Sequence, residues 1–155
     1  MEQGVGTQGW QIVGTILFLI ANLVNVLLAW RAIARARGRR QADVVVGALC
    51  GVLTLPVAGA LVLVLLGHPA WWAVVPSALL LAYSVIEFLL RYVWRLDFRS
   101  TPLFWPYIIL YYLTLSGMAG IAFSLGAAYG FIYLFTYFVN LFLNWYATRH
   151  THGAR

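Results

Sequence analysis

The sequence predicts an all-α integral membrane protein, a bundle of five transmembrane helices with its N-terminus outside and its C-terminus in the cytoplasm. Three observations lead there. The chain of 155 residues is 63% hydrophobic and only 9% charged, with a mean hydropathy of +0.87, too much apolar surface for a water-soluble globule of this size to hide. The apolar residues fall into five runs, each about the 20 residues that a helix needs to cross the hydrocarbon. All ten cationic side chains are arginines. In a five-span reading they lie on one side: Arg31, Arg35, Arg37, Arg39 and Arg40 in the first loop, Arg91, Arg95 and Arg99 around the third, Arg149 and Arg155 in the tail. The positive-inside rule makes that side cytoplasmic.

The first span is Trp10 to Trp30. The residues before it carry no Lys or Arg, and a basic loop rather than a small-residue cleavage site follows, so it reads as an uncleaved helix and not a signal peptide. The second, Val44 to Leu66, starts after Asp43, a candidate N-cap, and is broken by Gly67, His68 and Pro69. Trp71 and Trp72 open the third span at the outer interface and Trp94 closes it at the inner one. Ser100, Thr101 and Pro102 supply a cap and an early-turn proline for the fourth, Leu103 to Leu125. A turn at Gly126 leads to the fifth, Tyr129 to Ala147. Residues 1–155 form a single transmembrane domain in this reading, with short connections that make consecutive helices antiparallel neighbours.

Topology combined with helical rise gathers the polar residues in the cytoplasmic half. Asn22 and Asn25 lie past the middle of the first span, Glu87 and Arg91 low on the third, Tyr107, Tyr111 and Tyr112 early in the fourth, Asn140 and Asn144 late in the fifth. Phase agrees with depth. Tyr83, Glu87 and Arg91 are spaced i, i+4, i+8, Asn22 and Asn25 are i, i+3, and Tyr129, Tyr133, Thr136 or Tyr137, Asn140 and Asn144 follow steps of three and four. Such faces turn into a bundle, because a polar side chain facing lipid costs free energy with nothing to offset it. The second span, with Cys50, Thr54, Gly47 and Gly51, reads as a packing or lipid-facing helix.

The candidate ligand-binding residues are therefore Glu87, Arg91, Asn22, Asn25, Tyr83, Tyr111, Tyr137, Asn140 and Asn144, with Arg95 and Arg99 placed to hold anionic headgroups. Each group also has a structural reading: an intrahelical Glu87 to Arg91 ion pair, interhelical amide hydrogen bonds, and tyrosines of an interface belt. A net charge of +6 carried by arginines flanking apolar runs points to the anionic inner leaflet and not to nucleic acid.

Several signals are set aside. Gly4, Gly6 and Gly9 satisfy a dinucleotide fingerprint, but no strand precedes them. His150 and His152 lack further metal ligands, and the absence of a histidine inside a span leaves a membrane haem without axial ligands. One cysteine excludes an intrachain disulfide. No cofactor, metal site or catalytic residue is assigned. The last helix, with Tyr133, Leu143, Asn144, Ala147 and Arg149, is loosely similar over about 17 residues to the end of the translocator (tryptophan-rich sensory) proteins, which also place five spans in about this length. That family's proline-rich first loop and W-x-P-x-F-type span have no counterpart here, so the resemblance implies no assignment beyond keeping an apolar-ligand receptor among the alternatives.

The leading functional expectation is a multi-pass protein of a prokaryotic cytoplasmic membrane that binds or moves a small amphiphilic or cationic ligand through a polar chamber in the cytoplasmic leaflet. The alternatives are a non-catalytic subunit or assembly factor that pairs with itself or a partner membrane subunit, and a small lipid-modifying enzyme with Glu87 as general base.

Overall fold

The computed structural model describes residues 3–67, 71–90 and 101–152, and these residues are all-helical with no strand among them. The helices are α1 (Gln3–Ala36), α2 (Arg40–Val52), α3 (Thr54–Gly67), α4 (Val74–Phe88) preceded by a 3-10 turn at Trp71–Ala73, α5 (Phe104–Leu125) and α6 (Ala127–His152). Four stretches are long and apolar enough to cross a membrane: Gly9–Ala34, Val44–Leu66, Trp105–Leu125 and Ala127–Ala147. The chain thus has the make-up of a multi-pass membrane protein. The third expected span is only partly described. Its 15 residues in α4 rise about 22 Å, and its expected end at Trp94 lies outside the described residues.

Helix ends differ from hydropathy in instructive ways. α1 runs on past Trp30 to Ala36 because Arg31-Ala-Ile-Ala-Arg-Ala is a strongly helix-forming sequence that hydropathy alone reads as loop. It stops at Gly38, whose φ of 68° permits the left-handed turn. There Arg39 N–H donates to the Ala34 carbonyl at 2.9 Å, closing a Schellman-type cap. Asp43 is not a cap but lies inside α2, which starts at Arg40 behind Arg39. α5 is likewise preceded by Leu103, which makes no side-chain cap; Thr101 and Pro102 lie just before it, and the cap candidate Ser100 lies outside the described residues. The second span is two helices meeting at Leu53. Pro56 has no N–H to give the Val52 carbonyl, and at the same junction the Thr54 hydroxyl donates to the Gly51 carbonyl.

Contacts fix the directions. Phe18 meets Tyr129, Asn22 meets Thr136 and Asn25 meets Asn140, so α1 and α6 run parallel. Tyr83 meets Tyr107 while the Thr114 hydroxyl reaches the Leu79 carbonyl, so α4 and α5 are antiparallel. Tyr133 to Leu115 and Asn140 to Tyr111 make α5 and α6 antiparallel too. The α1–α2 turn with Arg37 and Arg39 and the end of α6 with Arg149 therefore share one end of the bundle.

The interior is divided along its length. An apolar core of Leu17, Phe18, Ala21, Val57, Val64, Leu80, Met118, Ile121 and Tyr133 fills the half away from the arginines. Outward, Leu19, Leu23 and Val26 on α1 and Phe131, Phe135, Phe138 and Phe142 on α6 are exposed, a surface suited to lipid as solvent.

Candidate ligand-binding site

The other half of the interior holds two polar clusters. The first centres on Glu87. Its Oε1 accepts a hydrogen bond from Arg31 Nη1 at 2.6 Å, and its Oε2 accepts from the hydroxyls of Tyr83 at 2.5 Å and Tyr107 at 2.8 Å. The two tyrosine hydroxyls are 3.0 Å apart, and their rings stack at a tilt with centroids 5.5 Å apart. Three helices thus converge on one carboxylate. Arg31 is 3% exposed and Glu87 12%, so both charges are out of water, where each needs the other and its hydrogen bonds.

Arg31 is the residue that sequence reasoning missed. Ending the first span at Trp30 made it a loop arginine, whereas α1 continues and turns it inward. A signal was present, since the step of three that joins Asn22 to Asn25 reaches Leu28 and then Arg31. The expected partner, Arg91, lies outside the described residues, as do the headgroup candidates Arg95 and Arg99.

The second cluster ties α1, α5 and α6. The Thr136 hydroxyl donates to Asn22 Oδ1 at 2.7 Å and accepts from Asn25 Nδ2 at 3.4 Å. Asn140 Nδ2 donates to the Tyr111 hydroxyl at 3.0 Å and lies 3.5 Å from Asn25 Oδ1. Asn144 Nδ2 donates to Asn140 Oδ1 at 2.6 Å, and Asn22 Nδ2 to the Phe18 carbonyl at 2.8 Å. Asn25 is 1% exposed and Asn140 0%. Asn22, Asn25 and Asn140 thus take part in hydrogen bonds between helices, as polar side chains in membrane bundles do. Tyr111 stands between the clusters, its ring 5.4 Å from that of Tyr83. Tyr137, half-buried, instead packs on Phe138.

A cleft opens beside the first cluster. Val24, Leu28 and Arg31 of α1 form one wall, and Tyr83, Ser84, Glu87 and Phe88 of α4 another. The third wall is α2, through Gly47, Cys50 and Gly51. α2 is therefore a wall of the site and not only a packing helix; its glycines let it approach α4, a Cβ on Gly51 falling 3.3 Å from the Phe88 ring. The cavity volume is about 20 Å³, the size of a one-water site, with the Arg31–Glu87 pair lining its polar end. Of the nine sequence candidates, Tyr83 and Glu87 line the cleft, while Asn22, Asn25, Tyr111, Asn140 and Asn144 form the neighbouring network.

No group of three or more His, Cys, Asp or Glu residues suited to a metal ion occurs among the described residues. No protein family, curated protein or solved structure matches the chain.

Proposed function

We propose that this protein binds, and in doing so helps to move, a small amphiphilic or cationic ligand at the cleft between α1, α2 and α4, in the cytoplasmic leaflet, with Glu87 and Arg31 as its polar anchors. The observation that carries this reading is the placing of a half-buried, three-fold hydrogen-bonded carboxylate and its buried arginine at the head of a cleft whose other walls are mostly apolar. Buried ionisable groups in a membrane span are expensive to keep and mark functional sites by default. Apolar walls with a few convergent polar groups are the make-up of ligand sites in general.

The asparagine network has a separate role in this reading, as glue that holds α1, α5 and α6 in register around the site. Its groups are turned inward and satisfied within the chain, which supports internal packing over the docking of a partner subunit. Arginines at the same end of the bundle support the cytoplasmic placement through the positive-inside rule.

The test is a thermal-shift screen of purified protein against lipids, quinones and cationic amphiphiles, run in parallel on wild type, Glu87→Gln and Asn22→Ala. Stabilisation of wild type and Asn22→Ala that is absent in folded Glu87→Gln is expected, since a ligand raises the midpoint only through the state it binds. Stabilisation that survives in Glu87→Gln refutes the assignment of the site.

A further inference from the structure

The outward face of α6 carries a feature apart from the cleft. Phe135, Phe138, Phe142, Trp145 and Arg149 follow steps of three and four, so they line one face of the helix. Each of the four rings is more than half exposed. The apolar stretch of this helix ends at Ala147, which puts Arg149 just beyond it and Trp145 just inside it, at the level where headgroups meet hydrocarbon. The centre of the Arg149 guanidinium lies over the Trp145 ring, 4.2 Å from its centroid, and the Trp145 ring is in turn 5.9 Å from that of Phe142. Apart from this stacking, Arg149 makes no hydrogen bond or ion pair among the described residues. A guanidinium stays charged at any ordinary pH and can rest a face on an aromatic ring while its N–H groups bind an acceptor. Here the ring holds the guanidinium in place, and the acceptor must come from outside the described chain.

Depth indicates what that acceptor belongs to. From Trp145 to Phe135 the helix rises about 15 Å, half of the roughly 30 Å hydrocarbon core. The stripe is therefore one leaflet deep, with a cation at head level and rings from there to the midplane, which is the extent and polarity of one phospholipid. A second copy of the chain fits the face less well. Two parallel copies related by a two-fold axis along this stripe would set Arg149 against Arg149, and the stripe holds none of the small residues that let membrane helices approach closely.

We propose that this face of α6 binds one anionic phospholipid of the leaflet on the arginine side, its phosphate on Arg149 and an acyl chain along Trp145, Phe142, Phe138 and Phe135. The fork of the guanidinium matches a pair of phosphate oxygens. Arg149 pairs with no carboxylate that would receive a head-group ammonium, so a phosphatidylglycerol type of head suits the site better than a zwitterionic one.

Native mass spectrometry of the full chain, released from detergent micelles, reads lipid retention with added phosphatidylglycerol or phosphatidylcholine of the same chains. Wild type is expected to hold one phosphatidylglycerol at a concentration at least about fivefold below that needed for phosphatidylcholine. Arg149→Gln should raise the phosphatidylglycerol concentration needed by about tenfold or more, as loss of hydrogen bonds to a charged group does, and Trp145→Leu by about threefold. Arg39→Gln, which removes an exposed arginine at the same end of the bundle, should have a smaller effect than Arg149→Gln. Glu87→Gln should leave retention unchanged, which separates this site from the cleft. All three α6 and loop residues changed here face outward, and unchanged thermal midpoints confirm that a lost lipid is not a lost fold. Equal losses from Arg39→Gln and Arg149→Gln would show general attraction to a basic end and overturn the site. Equal retention of phosphatidylcholine overturns the anionic head, and displacement by water-soluble glycerol phosphate at the same concentration as the intact lipid overturns the role of the chain. A wild-type dimer that Phe138→Ala turns into a monomer gives the face to a second copy and overturns the lipid.

Discussion

Arg31 of α1 and Glu87 of α4 face each other at 2.6 Å in the interior of the bundle, 56 residues apart in sequence. Their contact joins two parallel helices at the end where the arginines gather. It gives Glu87 a long-range partner on α1; Arg91, its expected i, i+4 partner, lies outside the described residues.

Breaking that pair should cost stability. Arg31→Leu leaves a buried carboxylate without this counter-ion, a loss of about 3–5 kcal/mol by comparison with other buried pairs. The double change Arg31→Leu with Glu87→Leu should recover most of it, because apolar replacement of a buried pair is often neutral. Recovery will be incomplete, since Tyr83 and Tyr107 lose the Glu87 carboxylate as acceptor. Thermal midpoints of the single and double mutants check this; a double mutant no more stable than Arg31→Leu would contradict it.

The amide network should behave as glue. Asn140 bonds to Tyr111 and Asn144 and faces Asn25. Asn140→Leu should therefore destabilise by about 1–3 kcal/mol, each interhelical bond contributing roughly 0.6–1.7 kcal/mol. Ligand stabilisation, measured as the shift in midpoint, should persist. Its disappearance in a folded Asn140→Leu protein would place the network in the site.

Much of this arrangement could be read from the chain. The i, i+4 spacing of Tyr83 and Glu87 and the steps of three and four through Asn140 and Asn144 follow from helical period alone, and the structure hydrogen-bonds both pairs. Arg31 was hidden because hydropathy locates the edge of an apolar run and not the end of a helix, and arginine has good helix propensity. The division at Leu53 was hidden because a single proline in an apolar run leaves the hydropathy high. The split between the two polar clusters depends on which rotamers meet across helices, which periodicity does not specify.

Two glycines on α5 separate close packing from mere small size. A Cβ on Gly117 would lie 2.9 Å from Pro76 Cβ and 3.3 Å from its Cα, whereas one on Gly120 would meet nothing within 4 Å. Gly117→Ala should force α4 and α5 apart at a cost of about 1–3 kcal/mol. Gly120→Ala should be neutral or stabilising by up to about 1 kcal/mol through helix propensity. Equal effects in thermal unfolding would contradict this helix crossing.

Orientation is testable by cysteine labelling in a Cys50→Ser background. A cysteine at position 4 should react from outside the cell and one at position 153 only from the cytoplasm, because the arginines bias their end inward. Both termini on one side would contradict the five-span topology.

Water access should follow the cleft. A cysteine at Ser84, which lines it, should react with a small water-soluble reagent from the arginine-rich side. One at Asn140, 0% exposed, and one at Leu63 on the outward surface of α3 should be protected. Reaction at Asn140 equal to that at Ser84 would mean a wide chamber and not a narrow cleft.

The claim at the centre, that a ligand sits between α1, α2 and α4 against Arg31 and Glu87, is tested most directly by photo-cross-linking. A diazirine-bearing lysophospholipid is activated on the purified protein and its adducts are mapped by peptide mass spectrometry. Saturable adducts at Val24 to Leu28, Gly47 to Gly51 and Ser84 to Phe88, competed by unlabelled compound and lost in a folded Arg31→Leu, Glu87→Leu protein, are the predicted result. Adducts spread over the lipid-facing surface, as readily at Leu55 and Leu63 as in the cleft and unchanged in the double mutant, would contradict it.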